Sequence, residues 1–393
     1  MEKRIYLDNC ATTPVHPSVI AAMNEAFLHF GNPSSQHKEG RKARALCEEA
    51  RQKVARLLAV PAASVMFTSG GTESNHTALT GLAALCEERG LPKHIVTTPI
   101  EHPSVLKTVN RLAEKGFRTT FLPLDRMGRM DLQSLKEILH TDRASIVSVT
   151  LVQHEIGNLY PVAELAHLAM DVGAFLHCDA VQASGKIPLH SIAPLVSTLS
   201  LSAHKFCGPK GVGVLAVGGP KSGEGSLLLP SVFLGGGQEH GRRAGTENVP
   251  GICGLGACAQ LAMEKMLPAM ANVAERRQRL EAGLRALGNM VPNGDPEHVC
   301  PTILNVRAVG IPSDLLMQAL DLEGIAVSTG AACSSGKIKS SSVLRALSFS
   351  EQEASESVRF SLSFETTDEE IDQTIKTIER VTKPFRVSPP KQV

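Results

Sequence analysis

The sequence predicts an α/β protein with a large unit built on a mainly parallel sheet and a smaller α+β unit after it. Three observations predict it. Between residues 65 and 217, short apolar runs alternate with helical stretches, the rhythm of a parallel sheet covered on both faces. Beyond Gly251 that rhythm gives way to one long helical pattern and then to short mixed elements. A chain of 393 residues with 42% hydrophobic content can also bury a large core, as two domains or as one large domain with a smaller companion.

In chain order, an amphipathic helix is expected over about 15–29, then a Gly-Asn-Pro-Ser-Ser loop and a long charged helix over 39–58. Strands follow near 65–68, 94–97, 119–122, 145–149, 175–178, 199–202 and 212–217, with helices such as 72–88, 103–115 and 162–172 between them. From Gly251 a helix runs toward Leu287, broken or kinked near Pro268. Short strands near 303–306, 326–328 and 359–362 and helices near 313–322 and 368–381 complete the smaller unit. The Pro-rich tail from Lys383 onward is expected to fray.

Forty Lys and Arg against thirty-nine Asp and Glu leave a net charge of +1. That balance, with no dense basic block, gives no case for nucleic acid or an anionic membrane. The first residues lack the order of a signal peptide, and no apolar run is long enough to span a bilayer, so a soluble cytoplasmic protein is expected. Nine cysteines, at 10, 47, 86, 178, 207, 253, 258, 300 and 333, include no Cys-x-x-Cys pair. Neither a disulfide framework nor a metal site is expected from them. Most lie in apolar company and read as small core residues. Cys333 differs, because it sits in a small, polar stretch containing Lys337 and Lys339, a setting that favours a thiolate.

Two residues together suggest a chemistry. Lys205 stands just past an apolar strand, between Ser202-Ala203-His204 and a Gly208-Pro209 turn, about one βα unit after Asp179. A desolvated lysine suits a Schiff base and an aspartate at a strand end suits a pyridinium nitrogen, the two groups that pyridoxal phosphate (PLP) needs. Taken singly, either is an ordinary solvated side chain. Strand 65–68 runs into Ser69-Gly70-Gly71-Thr72-Glu73, a glycine turn opening a helix, which reads as a phosphate site or as a plain capping box. Ser202 and His204, expected to alternate on one strand beside Lys205, favour the phosphate, and the donor cluster 241–248 can close the same site. His102, where a strand meets a helix, can stack on a flat ring, move protons, or simply begin the helix.

The motifs in order are Tyr6-Leu7-Asp8-Asn9-Cys10-Ala11-Thr12-Thr13-Pro14, Phe67 to Asn75, Glu101-His102, Asp179-Ala180-Val181-Gln182, Ser202-Ala203-His204-Lys205, Arg242 to Asn248 and Ala332-Cys333. This set resembles the cysteine desulfurases of the class-V aminotransferase group, and is similar also to selenocysteine lyases. The resemblance implies a fold-type-I PLP homodimer with a large PLP-binding domain over 15–260. Residues 1–14 and 261–393 would form a small domain carrying the catalytic-cysteine loop at about 328–342. It makes Lys205 the Schiff-base lysine, Asp179 the partner of the pyridine nitrogen, His102 the ring-stacking group, and Gln182 and His154 contacts to the ring hydroxyl. Gly71, Thr72, Ser202 and His204 would hold the phosphate, with Thr246 supplied by the neighbouring subunit. Arg359, with Asn9, would bind the substrate carboxylate, and Cys333 would be the nucleophile. The implied reaction converts L-cysteine to L-alanine, leaving a persulfide on Cys333 for an acceptor or scaffold protein, as in iron–sulfur cluster assembly. A selenocysteine lyase, another PLP-dependent β-eliminating enzyme, or a weakly active PLP-binding docking partner are the alternatives. The chain departs from the family's pattern at Cys10, at His154, where an asparagine is usual, at His240, and at Ser363-Phe364-Glu365.

Overall fold

The computed structural model describes residues 4–219, 229–329 and 340–385. Its first elements are a short strand, β1 (Ile5–Tyr6), and two helices, α1 (Pro17–Phe27) and α2 (Lys38–Leu58). Both helices begin on a histidine whose ring accepts a backbone N–H, His16 from Ser18 and His37 from Gly40. Histidine here does the work usually done by serine or aspartate.

Seven strands then build the main sheet: β2 (Val65–Thr68), β3 (His94–Thr97), β4 (Arg118–Phe121), β5 (Ile146–Thr150), β6 (Phe175–Asp179), β7 (Thr198–Ser202) and β8 (Gly213–Val217). Their spatial order is β2-β8-β7-β6-β5-β3-β4. Pairings are parallel except along β8, which runs antiparallel to both β7 and β2. Only residues 203–212 separate β7 from β8, too few for a crossover helix, so the chain has to turn back.

Helices α3 (Gly71–Glu88), α4 (Pro103–Ala113), α5 (Leu132–Thr141), α6 (Val162–Val172) and α7 (Val249–Leu261) cover the sheet. Neighbouring residues on one strand enter opposite cores. Phe67, Val96, Val147 and Leu176 pack with Leu58 and Leu255, whereas Met66, Ile95, Ile146 and Phe175 pack with Leu79 and Leu82. A period of two with both faces apolar is the signature of strands buried on both sides. Edge strand β4 lacks that cover, and Arg118 and Phe121 are exposed.

The break expected near Pro268 takes an unexpected form. Helix α7 passes through a π-helical turn, Ala262–Met266, into α8 (Leu267–Ala286), and Pro268 occupies the first turn of α8, where its missing N–H is not needed. Beyond α8, β9 (Met290–Asn293), β10 (Ile303–Ala308) and β12 (Ser357–Ser361) form an antiparallel sheet in the order β12-β10-β9. Between β10 and β12 come α9 (Ser313–Leu322), β11 (Ile325–Ala326), α10 (Ser342–Ala346) and α11 (Glu351–Ser355), and α12 (Asp368–Thr382) follows. Val273, Leu304, Phe360 and Ile378 belong to a core of their own, which Ile5 and Leu7 join from the far end of the chain. Strand β1 pairs in parallel with β11. Among the described residues, no helix is long and apolar enough to cross a membrane.

Candidate active site

Because β3, β5, β6 and β7 are parallel, their carboxyl ends share one edge, the edge where such sheets bind ligands. His102 follows β3, His154 follows β5, Asp179 ends β6, Ser202 ends β7 and Lys205 lies three residues on. The loops thus bring together residues spread over more than a hundred positions of sequence.

Asp179 is buried, and both of its oxygens are occupied. Oδ2 accepts from Asn75 Nδ2 at 2.7 Å and Oδ1 accepts from the Val181 N–H at 3.0 Å. Asn75 lies on α3 and is itself held from behind, since His177 Nε2 stands 3.1 Å from its Oδ1. Burial pushes the His177 pKa down to about 4, so the ring is neutral; its Nε2–H donates to Asn75 and its Nδ1 accepts from the Thr198 hydroxyl at 2.9 Å. Asn75 Nδ2 also donates to Ser104 Oγ at 2.9 Å, and Ser104 Oγ lies 2.8 Å from His102 Nδ1. One asparagine therefore orients the aspartate and, through Ser104, the histidine.

His102 does begin helix α4, accepting from the Ser104 N–H, and it also faces the site. Desolvation holds its imidazole below the ordinary pKa; Asp179 pulls the other way and Lys205 adds to the lowering. Its ring meets that of His154 edge-on, with centroids 5.6 Å apart and planes at 72°. Burial, followed by the fields of His102, Arg359 and Lys205, keeps His154 well below the usual histidine range.

Lys205 Nζ donates to the carbonyls of Cys10 and Ala11, at 2.6 and 2.8 Å. Desolvation pushes its pKa down to about 8. The expected alternation of Ser202 and His204 on one strand does not occur: β7 ends at Ser202 and a 3-10 turn, Ala203–Lys205, follows. The tight return to β8 imposes that turn, which leaves His204 Nδ1 3.2 Å from Thr12 Oγ1. Burial, and then the nearby lysines Lys205, Lys210 and Lys186, push the His204 pKa to about 4.

At the start of α3, Gly70 has φ +153°, a conformation that side chains rarely adopt, and lies close to Ser202 Oγ. A Cβ on Gly71 would stand 2.6 Å from Val181 Cγ2 and 3.6 Å from Ser202 Cβ. Bare backbone N–H groups at the start of an 18-residue helix, beside a serine hydroxyl and with Thr72 solvent-facing in the first turn, form a cradle that accepts phosphate. Glu73 turns away from this cradle, accepting from the Ser69 N–H at 2.8 Å and from Arg243 Nε at 2.8 Å. Arg243 sits in the loop bearing Thr246, and that loop is fixed further by buried Glu239, which accepts from both terminal nitrogens of Arg51, each at 2.8 Å, and from the Phe67 N–H at 2.9 Å. Thr246 and Arg243 line a pocket of about 150 Å³ with Thr68, Ser69 and Gly211.

Toward the small sheet, Arg359 on β12 is buried, donating from Nη1 to the His154 carbonyl at 2.7 Å and from Nη2 to Asp8 Oδ1 at 2.9 Å. Among the described residues its Nε is buried without a partner, as is Asn9 Oδ1. Asn9 Nδ2 donates to the Ser361 carbonyl at 2.8 Å. Gln182 Nε2 donates to the Cys10 carbonyl at 2.9 Å, and its Oε1 accepts from Lys186 Nζ at 3.0 Å. Cys333 lies outside the described residues. On either side of it, Ser328 bridges Arg359 through paired backbone bonds of 2.7 and 3.2 Å, and buried Ser341 donates to Glu155 Oε2, next to His154.

The donor set fits PLP. An amine whose pKa is pushed down to about 8, a buried carboxylate at the same sheet edge and a glycine turn at a helix start match an aldehyde, a ring nitrogen and a phosphate in turn. Asn75, His177, Ser104 and Lys186 were not anticipated from sequence. Asn75 falls within the Phe67–Asn75 motif, one helical turn past Gly71, and that spacing alone marks it as facing the same side.

Residues 5–374 match the aminotransferase class-V family. The chain is 39% identical over 396 residues to cysteine desulfurase IscS of Dictyoglomus turgidum, covering 100% of this chain and 98% of that one. To cysteine desulfurase NifS of Azotobacter vinelandii it is 41% identical over 392 residues, covering 98% and 94%. A solved NifS-like protein superposes with a TM-score of 0.88 at 35% identity, covering 97% of this chain and 100% of the other. With this family match over residues 5–374, these relatives and a mainly parallel sheet, the chain belongs to the class-V aminotransferase family, among its PLP-dependent cysteine desulfurases.

Proposed function

We propose that this protein takes sulfur from L-cysteine, releases L-alanine and leaves a persulfide on Cys333 for an acceptor protein. The observation that carries the reading is that one edge of the main sheet brings together a desolvated Lys205 and an Asp179 with a donor on each oxygen. PLP, when bound, supplies an electron sink for charge developing at the substrate Cα. Lys205 Nζ holds the cofactor and then carries the Cα proton, a task suited to an amine that titrates near pH 8. Asp179 faces the ring nitrogen, His102 stacks on the ring, and Gln182 and His154 lie on the ring-hydroxyl side. Gly71, Thr72, Ser202 and His204 hold the phosphate. Arg359 and Asn9, each with a buried polar atom that has no partner among the described residues, bind the substrate carboxylate.

The sulfur step balances without an outside oxidant. The Cys333 thiolate attacks the substrate sulfur, an S–S bond forms as the Cβ–S bond breaks, and the bonding pair stays with the carbon fragment that is protonated to alanine. The anchoring of Ser328 on Arg359 and of Ser341 on Glu155 supports this role, because both flanks of the Cys333 segment begin at the site. The reading further takes the protein as a cytoplasmic homodimer in which Thr246 serves the neighbour's phosphate, with a large domain over 15–260 and a small one from 1–14 and 261–393. The free cysteines 10, 47, 178, 207, 253, 258 and 300 among the described residues suit a reducing compartment.

Peptide mass spectrometry after exposure to L-cysteine tests the core of this reading, with the added sulfur expected on Cys333. Cys333→Ala should keep PLP and lose sulfur transfer, whereas Lys205→Ala should lose covalent PLP attachment and leave Cys333 unmodified. Undiminished alanine formation by Cys333→Ala would show that the sulfur leaves by elimination and would overturn the proposal.

A further inference from the structure

Lys186 is one of two lysines that the fold places in the same interior. It is 7% exposed, and its Nζ donates to a neutral acceptor, Gln182 Oε1. Among the described residues it has no carboxylate partner. A buried cation without a counter-charge is expensive. The surroundings show what the cost is spent on: Lys186 and Lys205 line one small cavity, of about 20 Å³, and a hydrogen-bond chain joins them. Lys186 Nζ donates to Gln182 Oε1 at 3.0 Å, Gln182 Nε2 to the Cys10 carbonyl at 2.9 Å, and Lys205 Nζ to that same carbonyl at 2.6 Å.

We infer that Lys186 is a positioning residue for Lys205: its buried charge biases the Lys205 amine toward the neutral form, and its hydrogen bond fixes which face of the Gln182 amide meets the site. An ammonium only donates and a carbonyl only accepts. Lys186 therefore demands Oε1 and Cys10 demands Nε2, and the two ends of the chain agree on one orientation of the amide. Other charged or titratable groups around Lys205 are Cys10, Arg359, Asp8, His102, His154 and His204. The histidines are held toward their neutral forms, and Asp8 is paired with Arg359, so Lys186 and Arg359 are the fixed cations of the set. Of these, Lys186 is the one joined to Lys205 through hydrogen bonds, and it is among the causes that lower the proton affinity of Lys205, after desolvation and against Cys10.

This inference rests on Lys205 being the residue that binds PLP, and the test separates the two. PLP is added to apoprotein over a pH series, its attachment is followed by visible absorbance, and borohydride fixation with peptide mapping confirms Lys205 as the site. Wild-type protein should show a rate midpoint near 8, the value at which its amine loses its proton. Lys186→Met and Lys186→Gln should move that midpoint up by about half a unit to one unit, slowing attachment at neutral pH roughly three- to tenfold. Lys186→Arg should keep the wild-type midpoint. Unshifted midpoints in the folded Met and Gln variants would overturn the inference, and so would failure of both to give a cooperative melt, which would make Lys186 purely a fold residue. No chromophore in the wild type would instead sink the cofactor assignment to Lys205.

Discussion

Two buried carboxyl groups end up at the same edge of the main sheet and are served in opposite ways. Asp179, at the end of β6, receives a donor on each oxygen, Asn75 on one and the Val181 N–H on the other. Glu101, just past β3, gathers its donors on Oε1, from Thr98 Oγ1 at 2.7 Å and the Thr150 N–H at 3.1 Å, and leaves Oε2 buried with no partner among the described residues. Desolvation, with a contribution from Asp179, pushes the Glu101 pKa up to about 8. Burial is common to both; the distribution of donors differs. An ionised carboxylate can use donors on both oxygens, while a neutral acid needs them on one. The structure thus offers one carboxylate with a donor on each oxygen, the group proposed to face the ring nitrogen, and one carboxylic acid that clips the β3 exit to the end of β5 and sets the backbone just before His102.

Removing the charge of Asp179 breaks that contrast hardest. Asp179→Asn should lower turnover on the order of 10²–10³-fold while the protein stays folded, and steady-state kinetics beside a thermal melt will show it. A loss below tenfold would mean that the carboxylate is not opposite the reacting ring. The next largest effect belongs to Asn75, whose loss strands Asp179 Oδ2 and His177 Nε2 together. Asn75→Ala should cost about 1–3 kcal/mol in urea melts and slow turnover roughly tenfold. An Asn75→Ala protein with wild-type stability would show that the His177–Asn75–Asp179 chain is dispensable.

Glu101→Gln sharpens the comparison with the smallest effect on turnover, because the amide keeps the acceptor oxygen that Thr98 and Thr150 use. Its signature is in stability against pH. The folded pKa of Glu101, about 8, lies above its ordinary 4.5, so between those values the native state holds a proton that the unfolded chain gives up. Stability therefore falls as pH rises through that window. Glu101→Gln should abolish the slope and exceed the wild type on the order of 1–3 kcal/mol at pH 8, as read from denaturant midpoints at pH 5 and pH 8. Parallel curves for the two proteins would show Glu101 ionised throughout.

The strand rhythm and the Lys205 and Asp179 pair were legible in sequence because each is a local signal: apolar runs between helices, and reactive side chains at strand ends. What stayed hidden depends on partners far along the chain. Asn75 and His177 are uncharged groups inside a helix and a strand, and their meaning comes from each other, 102 positions apart. Lys186 reads as a surface lysine until Gln182 and the cavity beside Lys205 are seen around it. The reversal at β8 and the 3-10 turn under Lys205 share one cause, a connection too short to cross over. A helix break near Pro268 was foreseeable, but the π-turn just before it, Ala262–Met266, carries no such local signal.

The bridge between Ser328 and Arg359 also sets a length scale. Cys333 follows Ser328 by five positions, and a fully stretched chain covers at most about 3.6 Å per residue, so the Cys333 Cα can lie no farther than roughly 18 Å from that bridge. The eight residues back to Ser341 allow a longer arm, so the Ser328 side is the shorter tether. Under the proposed sulfur transfer, an acceptor would meet the persulfide within that radius for as long as the bridge holds. On that proposal the acceptor would bring its own thiol or sulfur site down to this face of the protein, and a partner with a deeply recessed receiving group would have to unzip Ser328 from Arg359, the residue proposed to hold the next substrate.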